Sequence, residues 1–310
     1  MRICSLIPSA TEIVFALGAG HLLAGVSHEC DYPAEAALLP KITRSRIPAG
    51  LSSGGIESGV RAMLAGGGSL YELDLELLER LQPDLILTQK LCNVCAVSFD
   101  LVEDAIRTLS PPPAILTLEP SSLDEILGSI RMVGDAIGRV RAAKALVSSL
   151  KQRIDTVRRR TNIAMSRPRV FCMEWVNPPY CGGHWMKDLV EIAGGTDDLA
   201  NHHRPSYPIE WKRVLEFSPE VMVLTCCGFS LERCRQEAEI LAGFEGFWKL
   251  PAARTGRIFA TDGASYFSRS GPRIVESLEI LAHLIHPELF PAPKLDAAFA
   301  TIQLSAAAKH

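Results

Sequence analysis

The sequence has little net charge and no long apolar run, and each absence excludes a class of partner. Its 310 residues hold 32 Lys and Arg against 35 Asp and Glu, which gives a formal net charge of −3 at pH 7. A chain without a basic excess has no field that attracts nucleic acid or anionic lipid. No apolar run approaches the roughly 20 residues that span a bilayer. We therefore expect neither nucleic-acid binding nor membrane insertion.

The beginning of the chain lacks the features of a secretory leader. Met1 and Arg2 lead directly into a short apolar run, and Pro8 ends that run. A signal peptide has a longer apolar core and a cleavage site of small residues. The sequence as written predicts a cytoplasmic protein, or a periplasmic or cell-surface protein if a leader was removed.

The common catalytic signatures are also missing. The sequence contains no GxxxxGK[ST], no HExxH and no GxSxG. It has nine cysteines, an odd number that favours reduced thiols over a disulfide framework. Cys92 and Cys95 form a lone CxxC, whereas a structural zinc site normally has a second pair at similar spacing.

The first half of the chain alternates apolar strand patterns with helical patterns. Ser9 and Glu12 have the spacing of a capping box, which predicts a helix beginning at Ser9 and ending before Gly18. Residues 44–55, rich in Ser, Gly and Pro, read as a loop. The predicted strands are residues 2–7, 22–27, 85–88 and 114–118, and the predicted helices are residues 9–17, 56–65, 75–81 and 99–109.

A long helical region separates this half from a second half with the same scheme. It covers residues 122–161 with interruptions at Gly134 and Gly138, and the 23 residues after Gly138 would extend roughly 34 Å as one helix. Later strands are predicted at residues 169–172, 221–224 and 258–261, and a closing helix at 274–285. The segment after Pro291 receives no role.

The two halves also share short sequence matches, which predict two related α/β units. Arg169-Val170-Phe171-Cys172 resembles Arg2-Ile3-Cys4, and Pro219-Glu220 before an apolar run resembles Pro83-Asp84. We predict an N-terminal α/β lobe at residues 1–118, a helical linker at 119–163, a C-terminal α/β lobe at 164–290 and a tail at 291–310.

Polar and aromatic residues follow the apolar strands, and open α/β sheets bind ligands at the carboxyl ends of their strands. Aromatic walls with a few polar groups suit a large planar ligand. The predicted ligand-binding residues are His28, Glu29, Tyr32, Gln89, Cys92, Cys95, Glu174, Trp175, His184, Trp185, Cys227, Phe229, Tyr266, Phe267 and Arg269. The same region predicts a site for a zinc or iron ion, with His28, Cys30, Cys92 and Cys95 as its ligands.

Several of these residues have a purely structural interpretation as well. Trp175 and Trp185 are equally compatible with a hydrophobic core, and His28 with a hydrogen-bonded structural role. Glu29 and Asp31 are of the type that stabilises a turn before Pro33. These alternatives remain open at the level of sequence.

Four segments resemble a known family, the cobalamin and iron-siderophore substrate-binding proteins of ABC importers. They are the opening residues 2–13, residues 28–33 (HECDYP), residues 81–86 (LQPDLI) and residues 271–273 (GPR). Residues 92–95, 174–175, 183–185 and 227–229 resemble a narrower, cobalamin-binding subgroup. The resemblance covers roughly residues 1–290.

The resemblance implies a fold of two Rossmann-like lobes joined by a single long rigid α-helix. It implies a non-catalytic monomer that binds a corrinoid or a similar metal chelate in the cleft between the lobes, for transport, storage or sensing. It also implies docking to an ABC importer through one acidic residue on each lobe. Glu76 matches the first position, but Lys212 stands at the second, with Glu210 and Glu216 nearby.

Two other interpretations compete with a ligand-binding protein. One is a metalloprotein or metal-dependent enzyme that uses His28, Cys30, Cys92, Cys95, His184 and Cys227. The other is a degenerate receptor that has become a protein-interaction module.

Overall fold

The computed structural model describes residues 1–48, 50–66, 69–90 and 99–305, apart from the side chains of Asp100 and Thr108. The chain divides into two compact units. Unit 1 comprises Met1–Pro120 and Asp124–Ser149, and unit 2 comprises Ser121–Leu123 and Leu150–His310. The main boundary therefore falls inside one long helix.

Unit 1 is built on a parallel sheet with strand order β2-β1-β5-β6 and a separate antiparallel pair, β3 and β4. Its strands are β1 (Ile3–Ser5), β2 (Leu23–Val26), β3 (Thr43–Ser45), β4 (Tyr71–Leu73), β5 (Leu85–Thr88) and β6 (Ala114–Thr117). Its helices are α1 (Pro8–Ala16), α2 (Ala34–Ala37), α3 (Ser53–Ala65), α4 (Leu75–Leu81), α5 (Phe99–Thr108) and α6 (Leu123–Ala136), the last of which begins with a residue of unit 2.

Unit 2 has a five-stranded sheet, β13-β12-β11-β7-β8, in which β12, β11 and β7 are parallel and the two outer strands antiparallel. The strands of that sheet are β7 (Val170–Trp175), β8 (Tyr180–Cys181), β11 (Val221–Leu224), β12 (Ile258–Thr261) and β13 (Phe299–Thr301). Unit 2 also has a separate parallel pair, which consists of β9 (Gly183–His184) and β10 (Asn201–His202). After α7 (Val140–Thr161), its helices are α8 (Met186–Ile192), α9 (Trp211–Phe217), α10 (Leu231–Ala238), α11 (Pro251–Arg254) and α12 (Ile274–Ile285).

Helix α7 is long and contributes to both units. It has 22 residues and follows Gly138, whose φ of +68° ends the preceding helical segment. Ile154 and Val157, in its second half, are buried, and Arg153 forms two hydrogen bonds to the Glu279 carboxylate at 2.9 and 2.7 Å. The predicted α/β fold class with its long helix is thus confirmed.

The internal repeat extends to individual hydrogen bonds. In unit 1 the backbone N–H of Arg2 donates to the Asp84 carboxylate at 2.6 Å, and the Arg2 carbonyl accepts from the Asp84 N–H at 2.8 Å. In unit 2 the N–H of Arg169 donates to the Glu220 carboxylate at 3.0 Å, and the Arg169 carbonyl accepts from the Glu220 N–H at 2.8 Å. We call this reciprocal pair of bonds the strand-start contact.

The element before each strand-start contact repeats as well. Helices α4 and α9 both have seven residues. Each ends in a left-handed residue, Gln82 at φ +43° and Ser218 at φ +53°, followed by proline and an acidic residue. The same turn thus leads into β5 in unit 1 and into β11 in unit 2. Each of these strands pairs with the first strand of its unit, β5 with β1 and β11 with β7.

Several local predictions need correction. Helix α1 begins at Pro8 with Ile7 as N-cap, so the capping box predicted at Ser9 is wrong. Proline suits a first helical position because the amide hydrogen that it lacks has no partner there. Gly134 does not interrupt the helical region, since it lies inside α6. The last two residues of β3 and the first three of α3 fall within residues 44–55, the segment predicted as a loop. The segment after Pro291 adds β13 to the sheet of unit 2.

One buried carboxylate completes the hydrogen bonding of β7. Asp197 is 0% exposed and accepts from the backbone N–H of Cys172 in β7 at 3.2 Å. Its other oxygen accepts from the N–H groups of Leu199 and Ala200, both at 3.1 Å. Burial raises the pKa of Asp197 from 3.8 to about 7, although these hydrogen bonds act to lower it.

The raised pKa predicts a stability that depends on pH. Between pH 3.8 and about 7 the folded chain holds a proton that the unfolded chain has released, so stability falls as pH rises through this window. Asp197→Asn removes this titration. We compare the free energies of unfolding of the wild type and of Asp197→Asn at each pH. We expect the wild-type value minus the variant value to fall by on the order of 2 kcal/mol between pH 5 and pH 8.

Urea unfolding of both proteins at the two pH values measures this difference. Because the comparison subtracts every other titrating group, a difference that stays constant or rises with pH would contradict the raised pKa of Asp197.

Candidate functional site

In unit 1, a network of buried hydroxyl groups fixes the loop that follows β2. The Thr11 hydroxyl donates to Ser5 Oγ at 2.9 Å and lies 3.1 Å from Cys30 Sγ. The Thr43 hydroxyl donates to Ser27 Oγ at 3.2 Å. The serine and threonine of the opening motif thus position a loop that begins some 20 residues later in the chain.

His28 is anchored by the same network. Its backbone N–H and its Nδ1 atom lie 3.0 and 2.7 Å from Thr43 Oγ1, and its ring lies 5.6 Å from that of Tyr71 between centroids. Nε2 is 3.3 Å from Glu29 Oε1 but makes no hydrogen bond. The orientation of the His28 ring is therefore fixed by the contact of Nδ1 with Thr43, while Nε2 makes no hydrogen bond.

The other predicted residues of unit 1 differ in exposure. Tyr32 is 47% exposed, a large value for an aromatic side chain, Glu29 is exposed and Gln89 is half-buried directly after β5. Cys92 and Cys95 lie outside the described residues. Cys30 is 1% exposed and turned toward Thr11, which gives its thiol a structural role.

In unit 2, an aromatic and cationic stack lies where β7 and β11 end. The rings of Trp175 and Phe229 are 4.8 Å apart between centroids, and the guanidinium of Arg233 lies 4.5 Å from the Phe229 centroid. Arg233 also pairs with the Glu237 carboxylate at 3.4 Å. The Cys227 N–H donates to the Glu174 carbonyl at 3.1 Å, which joins the two strand-end loops.

A π-helical turn after β12, Gly263–Phe267, is bonded to the same region. The Ala264 N–H donates to the Phe229 carbonyl at 3.0 Å. The turn carries Tyr266 and Phe267, both buried, and the guanidinium of Arg273 lies 5.4 Å from the Tyr266 centroid. Arg269 is only 6% exposed. The neighbouring parallel strands β7, β11 and β12 therefore bring Trp175, Phe229 and the π-helical turn to one edge of the sheet. His184 lies in β9 and Trp185 follows it, outside this sheet.

Glu174 is the acidic member of this group. It accepts from the Gly183 N–H at 2.8 Å, and burial raises the pKa of its carboxyl. His184 follows Gly183 with a φ of +50°, and its ring lies 5.6 Å from that of Trp185. Burial lowers the pKa of His184, which favours its neutral form.

Two of the four predicted metal ligands, Cys92 and Cys95, lie outside the described residues, so the predicted metal site stays a prediction. Within the described ranges, three side chains of the types that bind metal ions cluster at a different place, and they are Asp188, His202 and His203. Neither His28 nor Cys30 belongs to this cluster, nor do His184 and Cys227.

Sequence reasoning missed Arg233 and Arg273, which stack on predicted aromatic residues. Arg233 follows Phe229 by four residues along the loop and the first turn of α10, a spacing that brings a side chain back over its neighbour. Arg273 belongs to the GPR segment of the family resemblance, which offered the only signal for it.

The close approach of the loops after β11 and β12 requires glycine at position 263. A Cβ atom there would meet the Cys226 carbonyl oxygen inside van der Waals contact. We expect Gly263→Ala to lower the free energy of unfolding by about 1–3 kcal/mol, the usual cost of overpacking. Gly243→Ala is the matched control, because nothing lies within 4 Å of its Cβ, and its effect should stay within about 0.5 kcal/mol.

Denaturant unfolding of the two variants checks this pair. Equal stability losses would show that the β11 and β12 loops are not packed against each other as described.

Among the described residues, no helix combines the length and the apolar composition needed to cross a membrane.

Comparison with known proteins relates the chain to substrate-binding proteins. An uncharacterised ABC transporter substrate-binding lipoprotein of Bacillus subtilis is 24% identical over 93% of this chain and 81% of its own length. A vitamin B12-binding protein of Vibrio cholerae is 22% identical over 90% of this chain and 86% of its own. The crystal structure of a periplasmic heme-binding protein from Pseudomonas aeruginosa superposes with a TM-score of 0.72 at 18% identity, over 97% of this chain and 98% of its own.

The sequence profile of one family covers most of the chain. The periplasmic binding protein profile matches residues 3–264, and this confirms the family resemblance of the opening, HECDYP and LQPDLI segments. The chain belongs to the periplasmic binding protein family, whose members bind substrates and are not enzymes.

Proposed function

We propose that this protein binds a corrinoid such as cobalamin, without catalysis, and delivers it to an ABC importer. The observation that carries the proposal is the half-buried Trp175 at the carboxyl edge of the unit 2 sheet, held in the stack by the buried Phe229, on which Arg233 also lies. Flat aromatic faces bind the apolar surface of a macrocycle, while half-buried polar groups orient it.

Haem is the second candidate, since the same stack suits any large planar chelate. Solved heme-binding proteins share the fold at 18% and 24% identity, which is as low as the identity of the vitamin B12-binding relatives. The corrinoid is favoured because relatives named vitamin B12-binding proteins match about nine-tenths of the chain in sequence.

The relatives also bear on partner and location. An ABC transporter lipoprotein among them supports a role in import, and it favours the periplasm or the cell surface over the cytoplasm. Glu76, the residue proposed for docking, lies in the first turn of α4 with its side chain 91% exposed. Lys212 occupies the same position in α9 with its side chain 79% exposed, so the two docking positions would carry opposite charge.

The stack predicts that Trp175 contributes directly to ligand affinity. We expect the wild type to bind cyanocobalamin with one molecule per chain, micromolar or tighter affinity and quenched tryptophan fluorescence. Trp175→Ala should weaken binding about tenfold, because an aromatic contact contributes about 0.5–1.5 kcal/mol beyond buried area. Trp248→Ala, at an exposed tryptophan of the same unit, should bind like the wild type.

Isothermal titration with cyanocobalamin, and in parallel with hemin, measures these affinities. If hemin binds tightly and cyanocobalamin does not, haem and not a corrinoid is the ligand. Failure of both ligands to bind would refute the proposed function.

Tyr32 provides the corresponding prediction for unit 1. Its exposure of 47% leaves an aromatic face open to a ligand. We expect Tyr32→Ala to weaken cyanocobalamin binding several-fold, while Leu38→Ala, which removes a side chain that is 86% exposed nearby in sequence, leaves it unchanged. The same titration checks both, and equal affinities of the two variants would remove Tyr32 from the binding surface.

A further inference from the structure

A cluster on the surface of unit 2 stands apart from the predicted ligand-binding residues. It consists of Asp188 on α8 and two consecutive histidines, His202 and His203. Asp188 Oδ1 lies 2.8 Å from His202 Nε2 and 3.1 Å from His203 Nε2, and Oδ2 lies 3.2 Å from the latter. The imidazole rings are 3.7 Å apart between centroids.

We propose that Asp188, His202 and His203 bind one divalent transition metal ion, with Zn²⁺ as the probe of choice. One ligand atom from each residue lies within 4.8 Å of the other two. Zinc binds imidazole nitrogen and carboxylate oxygen at about 2.0–2.2 Å, so two ligands of one tetrahedral ion lie roughly 3.3 Å apart. The three side chains thus need only small shifts to surround an ion.

The donor set decides the class of metal. Two imidazoles and one carboxylate suit zinc, nickel, copper or cobalt, whereas magnesium and calcium prefer oxygen ligands only. With three protein ligands a fourth position remains for water. The side chains of His202 and His203 are 43% and 44% exposed and that of Asp188 is 18% exposed, so an ion can enter from solvent.

Both sides of the cluster are held in place. Asp188 Oδ2 also accepts from the backbone N–H of Leu123, of the same unit, at 3.0 Å, the kind of second contact that orients a metal-binding carboxylate. The histidines lie in a turn in which the Arg204 N–H donates to the Asn201 carbonyl at 3.1 Å.

His203 has an unusual backbone conformation in this turn. Its φ of +57° favours glycine or asparagine over other residues. Its N–H donates to the His184 carbonyl at 3.0 Å. The left-handed turn brings Nε2 of His203 to the same Asp188 carboxylate that Nε2 of His202 contacts. The backbone conformation of His203 therefore positions a metal-binding nitrogen.

This turn connects the metal site with residues predicted to bind the transported ligand. Asn201 donates to the Gly182 carbonyl at 2.7 Å, and β10 pairs with β9, which contains His184. A metal ion would therefore stabilise unit 2 and hold the segment before Trp185 in place. Metal binding does not require the proposed corrinoid, so the two are tested independently.

The test is a zinc titration of the full chain, purified without a histidine tag and treated with a chelator. We expect one Zn²⁺ per chain and a rise in Tm with zinc. His203→Asn, which suits the left-handed backbone, and His202→Ala should each weaken zinc binding at least tenfold. His21→Asn, at an exposed histidine of unit 1, should leave it unchanged, and thermal unfolding without metal confirms that the variants fold.

Cobalt substitution separates this site from any cysteine site. Co²⁺ bound by two imidazoles and a carboxylate gives visible absorption bands without the near-ultraviolet band of a thiolate ligand. No zinc binding, zinc binding that is equal in wild type and both histidine variants, or a thiolate band that persists in those variants would each overturn the proposal.

Discussion

The arrangement of functional residues depends on how the first strand of each unit is aligned with its neighbour. The strand-start contacts, Arg2 with Asp84 and Arg169 with Glu220, pair the two strands at their first residues. A parallel sheet transmits this alignment to the other end of the strands, since a slip by one residue would turn every side chain to the opposite face. Exposed contacts of this kind contribute little free energy, so their value lies in the register that they select.

At the carboxyl ends, burial of polar groups governs the site. Glu174, near the end of β7, and Asp197, bonded to β7, both have raised pKa values because they are removed from water. Asp197 accepts from the backbone N–H of Cys172, and Glu174 accepts from the backbone N–H of Gly183. Unit 2 therefore combines a rigid polar frame with an aromatic stack, an arrangement that resists collapse when no ligand is bound.

Patterns that are local in sequence were predictable, and contacts distant in sequence were not. Helices α4 and α12 and strands β5, β11 and β12 have the predicted bounds because periodicity and the Pro-acid turn define them. Strand β13 was missed because it forms only by pairing with β12, about 40 residues earlier in the chain. Trp175 and Phe229 were predictable neighbours because each lies at the end of a parallel strand. The Asp188–His202–His203 cluster depends on a left-handed turn at His203 that no sequence pattern indicated.

The cysteines described by the structure differ sharply in accessibility. Cys4, Cys30, Cys172, Cys181, Cys226 and Cys234 are buried, and burial raises the pKa of the Cys172 and Cys181 thiols. Cys227 is half-buried and follows β11, two residues before Phe229, and its N–H donates to the carbonyl of Glu174, the residue before Trp175. Once Cys92 and Cys95 are replaced by serine, a maleimide dye would therefore attach selectively at Cys227, and the protein becomes an optical sensor whose emission reports what occupies the neighbouring aromatic stack.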